Sequence, residues 1–182
     1  MDQAMQQTLL ERSRLGDAAA FSELVKPYQQ PLFRVAFRLL GNTEEAKDAV
    51  QETLLKVWQK MDTFDPMRSF DTWLFAVISH HCYDVLQSLR YRLRKVSLDQ
   101  VTTRMTGTTP EEAYVNKELA AELNRLLDKL SPKQRLVFVL KEIELLDTEH
   151  ITTLTGLTGD QVKSNLCLAK KKLRTYLMNT AN

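Results

Sequence analysis

The sequence has 182 residues, of which 43% are hydrophobic and 26% are charged, and its formal net charge at pH 7 is +2. Such values are typical of a globular protein with one domain or two small ones, and they exclude a fibrous or low-complexity chain. The two cysteines, Cys82 and Cys167, are too few and too far apart for a disulfide scaffold or a Cys-rich zinc finger. No apolar run reaches the ~18 residues that a membrane span needs, and the first residues do not resemble a signal peptide. We therefore expect a soluble, cytoplasmic protein without stable membrane insertion.

The first part of the chain is predicted to be helical. Asp17 is expected to cap a helix over 18–26, and Pro31 to begin the next helix, whose apolar residues recur with the 3.6-residue period. Gly41 predicts the end of that helix, and Asn42 predicts the cap of the helix that follows.

A polar stretch divides the chain into two halves. A long helix from about 70 to 95 follows a loop around 62–69 and ends in several basic residues. Residues 96–109 are polar, rich in threonine and without periodicity, which predicts a linker. A helix start at Ser131 and a 3.6-residue pattern follow it, and no alternating strand pattern of useful length occurs. We therefore expect an all-α fold of two small helical domains joined by a flexible linker, with boundaries at 1–95, 96–109 and 110–182.

A helix-turn-helix pattern lies near the end of the sequence. Asp147 is expected to begin a short helix, Gly156 to end it, and Thr158 to cap a longer helix. In such a motif the second helix enters the major groove, where Gln and Asn contact adenine and Lys contacts phosphates. The predicted exposed face and its flanking cations are Gln161, Lys163, Ser164, Asn165, Leu168, Lys170, Lys171 and Lys172, and the predicted buried face is Val162, Leu166, Ala169, Leu173 and Leu177. The alternative is an ordinary helical corner with a solvated face.

The helix after Asn42 carries a second face that is suited to a protein partner. Asp48, Gln51, Glu52 and Leu55 follow one another at the spacing i, i+3, i+4 and i+7, which places them in one stripe. A face that is only solvated explains the charged residues of this stripe, but it does not explain why the apolar Leu55 lies among them.

Aromatic residues surround the loop at 62–69 and the basic helix after it. Phe64, Phe70 and Trp73 among cations suit stacking on unpaired bases, although a core position is the alternative for Phe70 and Trp73. His80 and His81 point to different sides of a helix, so we expect no metal site. Since no phosphate-binding glycine loop and no nucleophile motif is present either, we expect neither a cofactor nor an enzymatic activity.

Four segments carry a resemblance to a known family, and the first of them, "AFSELVKPYQQPLFRVAFRLLGN", resembles the start of its region two. "EEAKDAVQETLLKVW" resembles a core-polymerase-binding helix, "SFDTWLFAVISHHCYDVL" is similar to a segment that melts and reads the −10 promoter element, and "LSPKQRLVFVLKEIELLDTEHITTLTGLTGDQVKSNLCLAKKKLR" is similar to a region that reads the −35 element. Together they resemble an extracytoplasmic-function (ECF) sigma factor of the bacterial sigma-70 family. The resemblance covers about residues 15 to 178. It implies region two within 1–95 and region four within 110–182.

The resemblance also implies partners and site residues. The partners would be core RNA polymerase through its β and β′ subunits, promoter DNA and an anti-sigma factor, and melting would capture a flipped base. The implied residues are Asp48, Gln51, Glu52 and Leu55 for polymerase, Phe64, Arg68, Phe70, Trp73, His81, Arg90 and Arg94 for −10 DNA, and Thr158, Gln161, Lys163, Ser164, Asn165, Leu168, Lys171 and Lys172 for −35 DNA.

The sequence departs from the family pattern at several of these positions. His81 stands where family members usually have Asn, and Asn165 and Leu168 replace two arginines of the recognition helix. Two other classes of protein remain as alternatives. A stand-alone helix-turn-helix regulator predicts a dimer and palindromic half-sites, whereas a protein-binding α-domain predicts no salt-dependent DNA affinity.

Overall fold

A computed structural model describes the backbone of residues 2–96 and 122–180, with the side chains of residues 2, 4–88 and 122–179. The part before the gap forms a first lobe and the part after it a second lobe, and neither contains a strand among these residues. The first lobe consists of α1 (Gln3–Arg14), α2 (Ala18–Val25), α3 (Gln29–Leu40), α4 (Thr43–Gln59) and α5 (Phe70–Val96). The second consists of α6 (122–127), α7 (Pro132–Phe138), α8 (Thr148–Thr155) and α9 (Gly159–Thr180), with a π-helical turn over Val139–Ile143. The all-α prediction is therefore confirmed.

Side-chain caps set the helix starts that the sequence predicted. The Asp17 carboxylate accepts hydrogen bonds from the backbone N–H groups of Ala19 and Ala20, each at 3.0 Å. Asn42 caps α4 in the same way, at 2.8 and 3.1 Å. A reciprocal capping box joins Ser131 and Gln134 at the start of α7. These bonds satisfy N–H groups that have no partner inside their own helix.

Two features at the N-terminal end differ from the prediction. α3 begins at Gln29, two residues before Pro31, and a 3₁₀ turn over Lys26–Tyr28 joins it to α2. Pro31 is tolerated there because the first N–H groups of a helix lack intrahelical partners. α1 was not predicted as an element, but it buries Leu9 and Leu10 and packs against α2.

The two lobes pack against each other through α5, which contacts both α7 and α8, while α3 contacts the π-helical turn. Arg38 of α3 forms an ion pair with Glu144, and the backbone oxygen of Arg38 accepts a bond from Arg135 Nε at 3.2 Å. His80 Nε2 lies 2.8 Å from the backbone oxygen of Leu154. The predicted linker at 96–109 and the domain start at 110 lie outside the described residues, apart from the backbone of Val96. This docking of the lobes was not predicted.

None of the described helices is both long and apolar enough to cross a membrane.

Candidate protein-binding and nucleic-acid interfaces

α4 presents the predicted stripe to solvent. Asp48, Gln51, Glu52 and Leu55 are all exposed, and Leu55 is 58% exposed although it is apolar. The opposite face of the helix packs into the core through Ala46, Ala49, Val50, Thr53 and Val57. An amide, two carboxylates and an apolar side chain on one rigid helix can bind a complementary protein surface through hydrogen bonds around an apolar contact.

The predicted stacking aromatics form a closed cluster. Phe64 and Phe70 are each only 4% exposed, and the Phe64 ring centroid lies 4.8 Å from that of Trp73 and 5.8 Å from that of Phe70. Trp73 is half-buried, and Tyr28 meets Phe70 edge to face. In this arrangement Phe64 and Phe70 offer no ring face to a base. Their assignment to −10 DNA stays a prediction that requires the cluster to open.

The loop between these aromatics carries two exposed side chains, of which Arg68 was predicted as a −10 residue and Met67 was not. Met67 is 92% exposed, and the Arg68 side chain is 80% exposed with its Nε 3.7 Å from an Asp65 oxygen. Of the other predicted −10 residues, Arg90 and Arg94 lie on α5, but their side chains are outside the described residues. Met67 is a single exposed apolar residue, and such residues are common on protein surfaces, so the sequence carried no signal for it.

His80, His81 and Cys82 point into three different environments on α5. His80 faces the second lobe, and Cys82 is buried, which raises its thiol pKa to about 12. His81 is half-buried against α4, where Lys56 Nζ lies 2.9 Å from its Nδ1. Burial is the main cause that lowers the pKa of His81, and the Lys56 charge is the second. In the described part of the chain no cluster of His, Cys, Asp and Glu could hold a metal ion.

α8 and α9 form the helix-turn-helix. The Asp147 carboxylate accepts a bond from the His150 N–H at 2.7 Å and caps α8, and Gly156 ends it in the left-handed conformation at φ 69°. Thr158 and Gln161 form a capping box at the start of α9, with bonds of 3.2 and 3.0 Å. Ile151 and Val162 are among the residues that hold the two helices together in the core.

The buried face of α9 is shorter than predicted. Val162, Ala169 and Leu173 are buried, but Leu177 is 49% exposed. α9 has 22 residues, whereas α7 and α8 have 7 and 8. At a rise of ~1.5 Å per residue, the shorter helices cannot cover the whole length of α9. The placement of Leu177 in the core was therefore wrong.

The outer face of α9 is open, but two of its polar residues are already engaged. Gln161 uses its side-chain oxygen in the capping box, and Asn165 Nδ2 donates to the backbone oxygen of Gln161 at 2.7 Å. These bonds use one of the two N–H groups of the Asn165 amide and one of the two lone pairs of the Gln161 oxygen, so they orient the side chains but do not by themselves exclude contact with a base. The predicted −35 residues that are exposed are Thr158, Gln161, Lys163, Ser164, Leu168, Lys171 and Lys172, while Asn165 is half-buried. Lys170 pairs with Glu142 at 2.9 Å.

Comparison with known proteins finds one family model for each of the two lobes. Residues 24–92 match the family model for sigma-70 region 2, and residues 120–173 match that for sigma-70 region 4. The chain is 34% identical over 167 residues to the ECF RNA polymerase sigma factor SigL of Mycobacterium tuberculosis, covering 88% of this chain and 90% of that protein. It is 28% identical to SigW of Bacillus subtilis, covering 92% of this chain and 94% of SigW. It is 32% identical to SigE of Mycolicibacterium smegmatis, of which it spans only 64%, with 89% of this chain covered.

Two solved structures share the fold. CnrH in complex with the cytosolic domain of CnrY superposes with a TM-score of 0.68 at 22% identity, covering 96% of this chain and 98% of that one. RpoE of Bartonella quintana, in complex with the anti-sigma factor NepR, gives 0.67 at 24% identity, covering 87% and 96%. With the SigL likeness and the two matching regions, these findings show that the chain belongs to the family of ECF RNA polymerase sigma factors.

Proposed function

We propose that this protein binds core RNA polymerase and directs it to a set of promoters. The observation that carries the proposal is the stripe of Asp48, Gln51, Glu52 and Leu55, which is exposed on α4 although Leu55 is apolar. A stripe of this composition fits a protein partner, and the β and β′ subunits of the polymerase are the partners that family membership favours. The chain itself performs no covalent step in this function.

The DNA contacts are proposed to lie on both lobes. In the second lobe, α9 would enter the major groove of the −35 element, with Ser164 and Leu168 toward the bases and Lys163, Lys171 and Lys172 toward phosphates. In the first lobe, the loop with Arg68 and the adjoining face of α5 with His81 would contact −10 DNA. Capture of an unpaired base by the aromatic cluster would require that cluster to open first.

An anti-sigma factor is proposed as a further partner. The support is that both structural neighbours were solved with a partner protein, one of which is named as an anti-sigma factor. Such a partner would compete with polymerase or DNA for the surfaces described above.

Reconstituted transcription tests the proposed function. Core polymerase, this chain and a pool of genomic fragments are expected to yield transcripts from a limited set of start sites that core alone does not produce. Transcription that is the same with and without the chain would contradict it. The alternative, a stand-alone helix-turn-helix regulator, predicts dimers on palindromic DNA without polymerase, and it leaves the α4 stripe unused.

A further inference from the structure

A cavity of about 140 Å³ lies between the two lobes. Residues of α5 line it on one side and residues of the second lobe on the other, chiefly Ser79, His80, Tyr83, Lys133, Leu136 and Leu157. None of these residues belongs to the α4 stripe or to the outer face of α9. Since both lobes supply the walls, the cavity exists only while the lobes are docked.

Two hydroxyl groups at this cavity have no partner. Ser79 is 0% exposed, and its Oγ forms no hydrogen bond. A buried hydroxyl without a partner is costly, and folded proteins contain few of them. Tyr83 is half-buried, and its hydroxyl forms no hydrogen bond with any described residue. Burial raises the pKa of Tyr83, so its hydroxyl keeps the proton and can donate it to an acceptor.

Lys133 adds a positive charge to the same cavity. Its ammonium forms neither an ion pair nor a hydrogen bond with the described part of the chain. None of the described residues that line the cavity is acidic. An ammonium and two hydroxyl donors without competing carboxylates suit an anion, because hydrogen bonds to a charged acceptor are the stronger ones.

The size and the apolar walls restrict the kind of anion. A cavity of about 150 Å³ holds one benzene molecule, so this one holds a ligand of about six non-hydrogen atoms. A nucleotide is far too large for it. Leu136 and Leu157 form apolar walls, which suit a short hydrocarbon chain and would leave the oxygens of inorganic phosphate without partners.

We propose that the interlobe cavity binds a small organic anion, a monocarboxylate with a short apolar chain. Its carboxylate pairs with Lys133 and accepts hydrogen bonds from Ser79 and Tyr83, while its chain packs against Leu136 and Leu157. A ligand that touches both lobes binds the docked form alone, and it therefore stabilises the docking. The inference does not depend on the proposed function, because it concerns the chain without polymerase or DNA.

The first experiment measures binding of butyrate, a carboxylate of the required size, to the full-length chain by calorimetry. We expect a dissociation constant of about 1 mM or tighter, and at least roughly tenfold weaker binding of butyramide, n-butylamine and inorganic phosphate. The imidazole NMR signals of His80 should shift with butyrate, whereas those of His81, which faces α4, should not. Absence of butyrate binding, equal binding of butyramide, or unmoved His80 signals would overturn the proposal.

Variants at the cavity separate a binding role from a structural one. Lys133→Met should weaken butyrate binding by about tenfold, and Ser79→Ala by roughly three- to tenfold. Ser79→Ala should not lower the stability of the ligand-free chain, because the hydroxyl it removes has no partner there. Lys60→Met, at an exposed position away from the cavity, is the matched control and should bind like the parent. Parent-like affinity of both Lys133→Met and Ser79→Ala would contradict the assignment.

Separation of the lobes tests the position of the site with all of its residues intact. Arg38→Glu breaks the interlobe ion pair with Glu144, so it should weaken butyrate binding, and the charge-swapped double variant with Glu144→Arg should restore it. Small-angle X-ray scattering reports the docking, and butyrate should reduce the radius of gyration of Arg38→Glu. An Arg38→Glu chain that is extended and still binds butyrate like the parent would show that the site does not lie between the lobes.

Discussion

Gly41 of the first lobe lies directly against the guanidinium of Arg135 in the second. A Cβ on Gly41 would stand 3.2 Å from Arg135 Nη2, and the glycine has φ 75°, which side chains rarely adopt. Arg135 is 4% exposed, donates from Nε to the Arg38 backbone oxygen and pairs with Asp128 at 2.6 Å. Gly41 therefore both ends α3 and packs against an arginine of the other lobe.

Gly41→Ala should destabilise the protein more than Gly156→Ala does. Both glycines end a helix at similar positive φ, 75° and 69°, but Gly156 has no atom within 4 Å of an added Cβ. The left-handed strain alone should cost about 1–2 kcal/mol in the free energy of unfolding. Urea denaturation measures the free energy of unfolding of both variants, and the difference between their losses is the contribution of the Arg135 contact at Gly41. Equal losses of unfolding free energy would mean that the Arg135 guanidinium moves away from the added methyl group.

Reversal of one interlobe charge should separate the lobes. Proteolysis is expected to cut within 96–109 because this stretch is polar and without helical periodicity, and the two fragments of the parent should stay associated on gel filtration. Arg38→Glu places two carboxylates together at Glu144 and should weaken the association, while Arg38→Glu with Glu144→Arg should restore it. Fragments of the parent that separate at once would show that the docking is weak in solution.

The α4 stripe should be required for polymerase binding. Glu52→Arg and Gln51→Ala, at exposed positions, are expected to reduce the retention of core polymerase in a pull-down without loss of helicity by circular dichroism. Glu23→Arg on α2, also exposed, is the matched control and should bind like the parent. Retention of polymerase by both stripe variants would contradict the assignment.

The aromatic cluster and the neighbouring loop should respond differently to truncation. Phe64→Ala removes a buried ring and should cost about 3–5 kcal/mol in the free energy of unfolding. We therefore expect this variant to lose −10 DNA binding because it unfolds. Arg68→Ala and Met67→Ala, at exposed positions, should leave the melting temperature unchanged and weaken binding of a single-stranded −10 oligonucleotide. Loss of binding by a Phe64→Leu variant that remains fully folded would instead favour direct stacking by Phe64.

Substitutions on α9 should distinguish residues that contact bases from residues that contact phosphates. Asn165→Arg should change which −35 sequences a randomised library yields, by about 1–3 kcal/mol for each affected base pair. Lys171→Ala should weaken all promoters alike and reduce the salt slope by roughly one unit. Identical −35 selection by the parent and Asn165→Arg would mean that this face of α9 does not meet the bases.

Most local structure could be predicted because it depends on short-range chemistry. Asp17, Asn42, Ser131 and Thr158 satisfy N–H groups two or three residues away, so their caps are visible in the sequence itself. The exposure of the Asp48–Leu55 stripe follows from helical spacing in the same way. The DNA and polymerase roles of these residues stay predictions.

Only the tertiary structure decided which faces meet. A mostly polar loop joins Phe64 to Trp73, yet their ring centroids lie 4.8 Å apart and Phe64 is only 4% exposed. Three further contacts depend on side-chain geometry that the sequence does not show. Asn165 donates a hydrogen bond to the backbone of its own helix, Lys56 contacts His81 on the neighbouring helix, and Arg135 packs against Gly41 of the other lobe. Helical periodicity specifies which side of a helix is apolar, but not which helix covers it or how far along, and Leu177 is exposed for that reason.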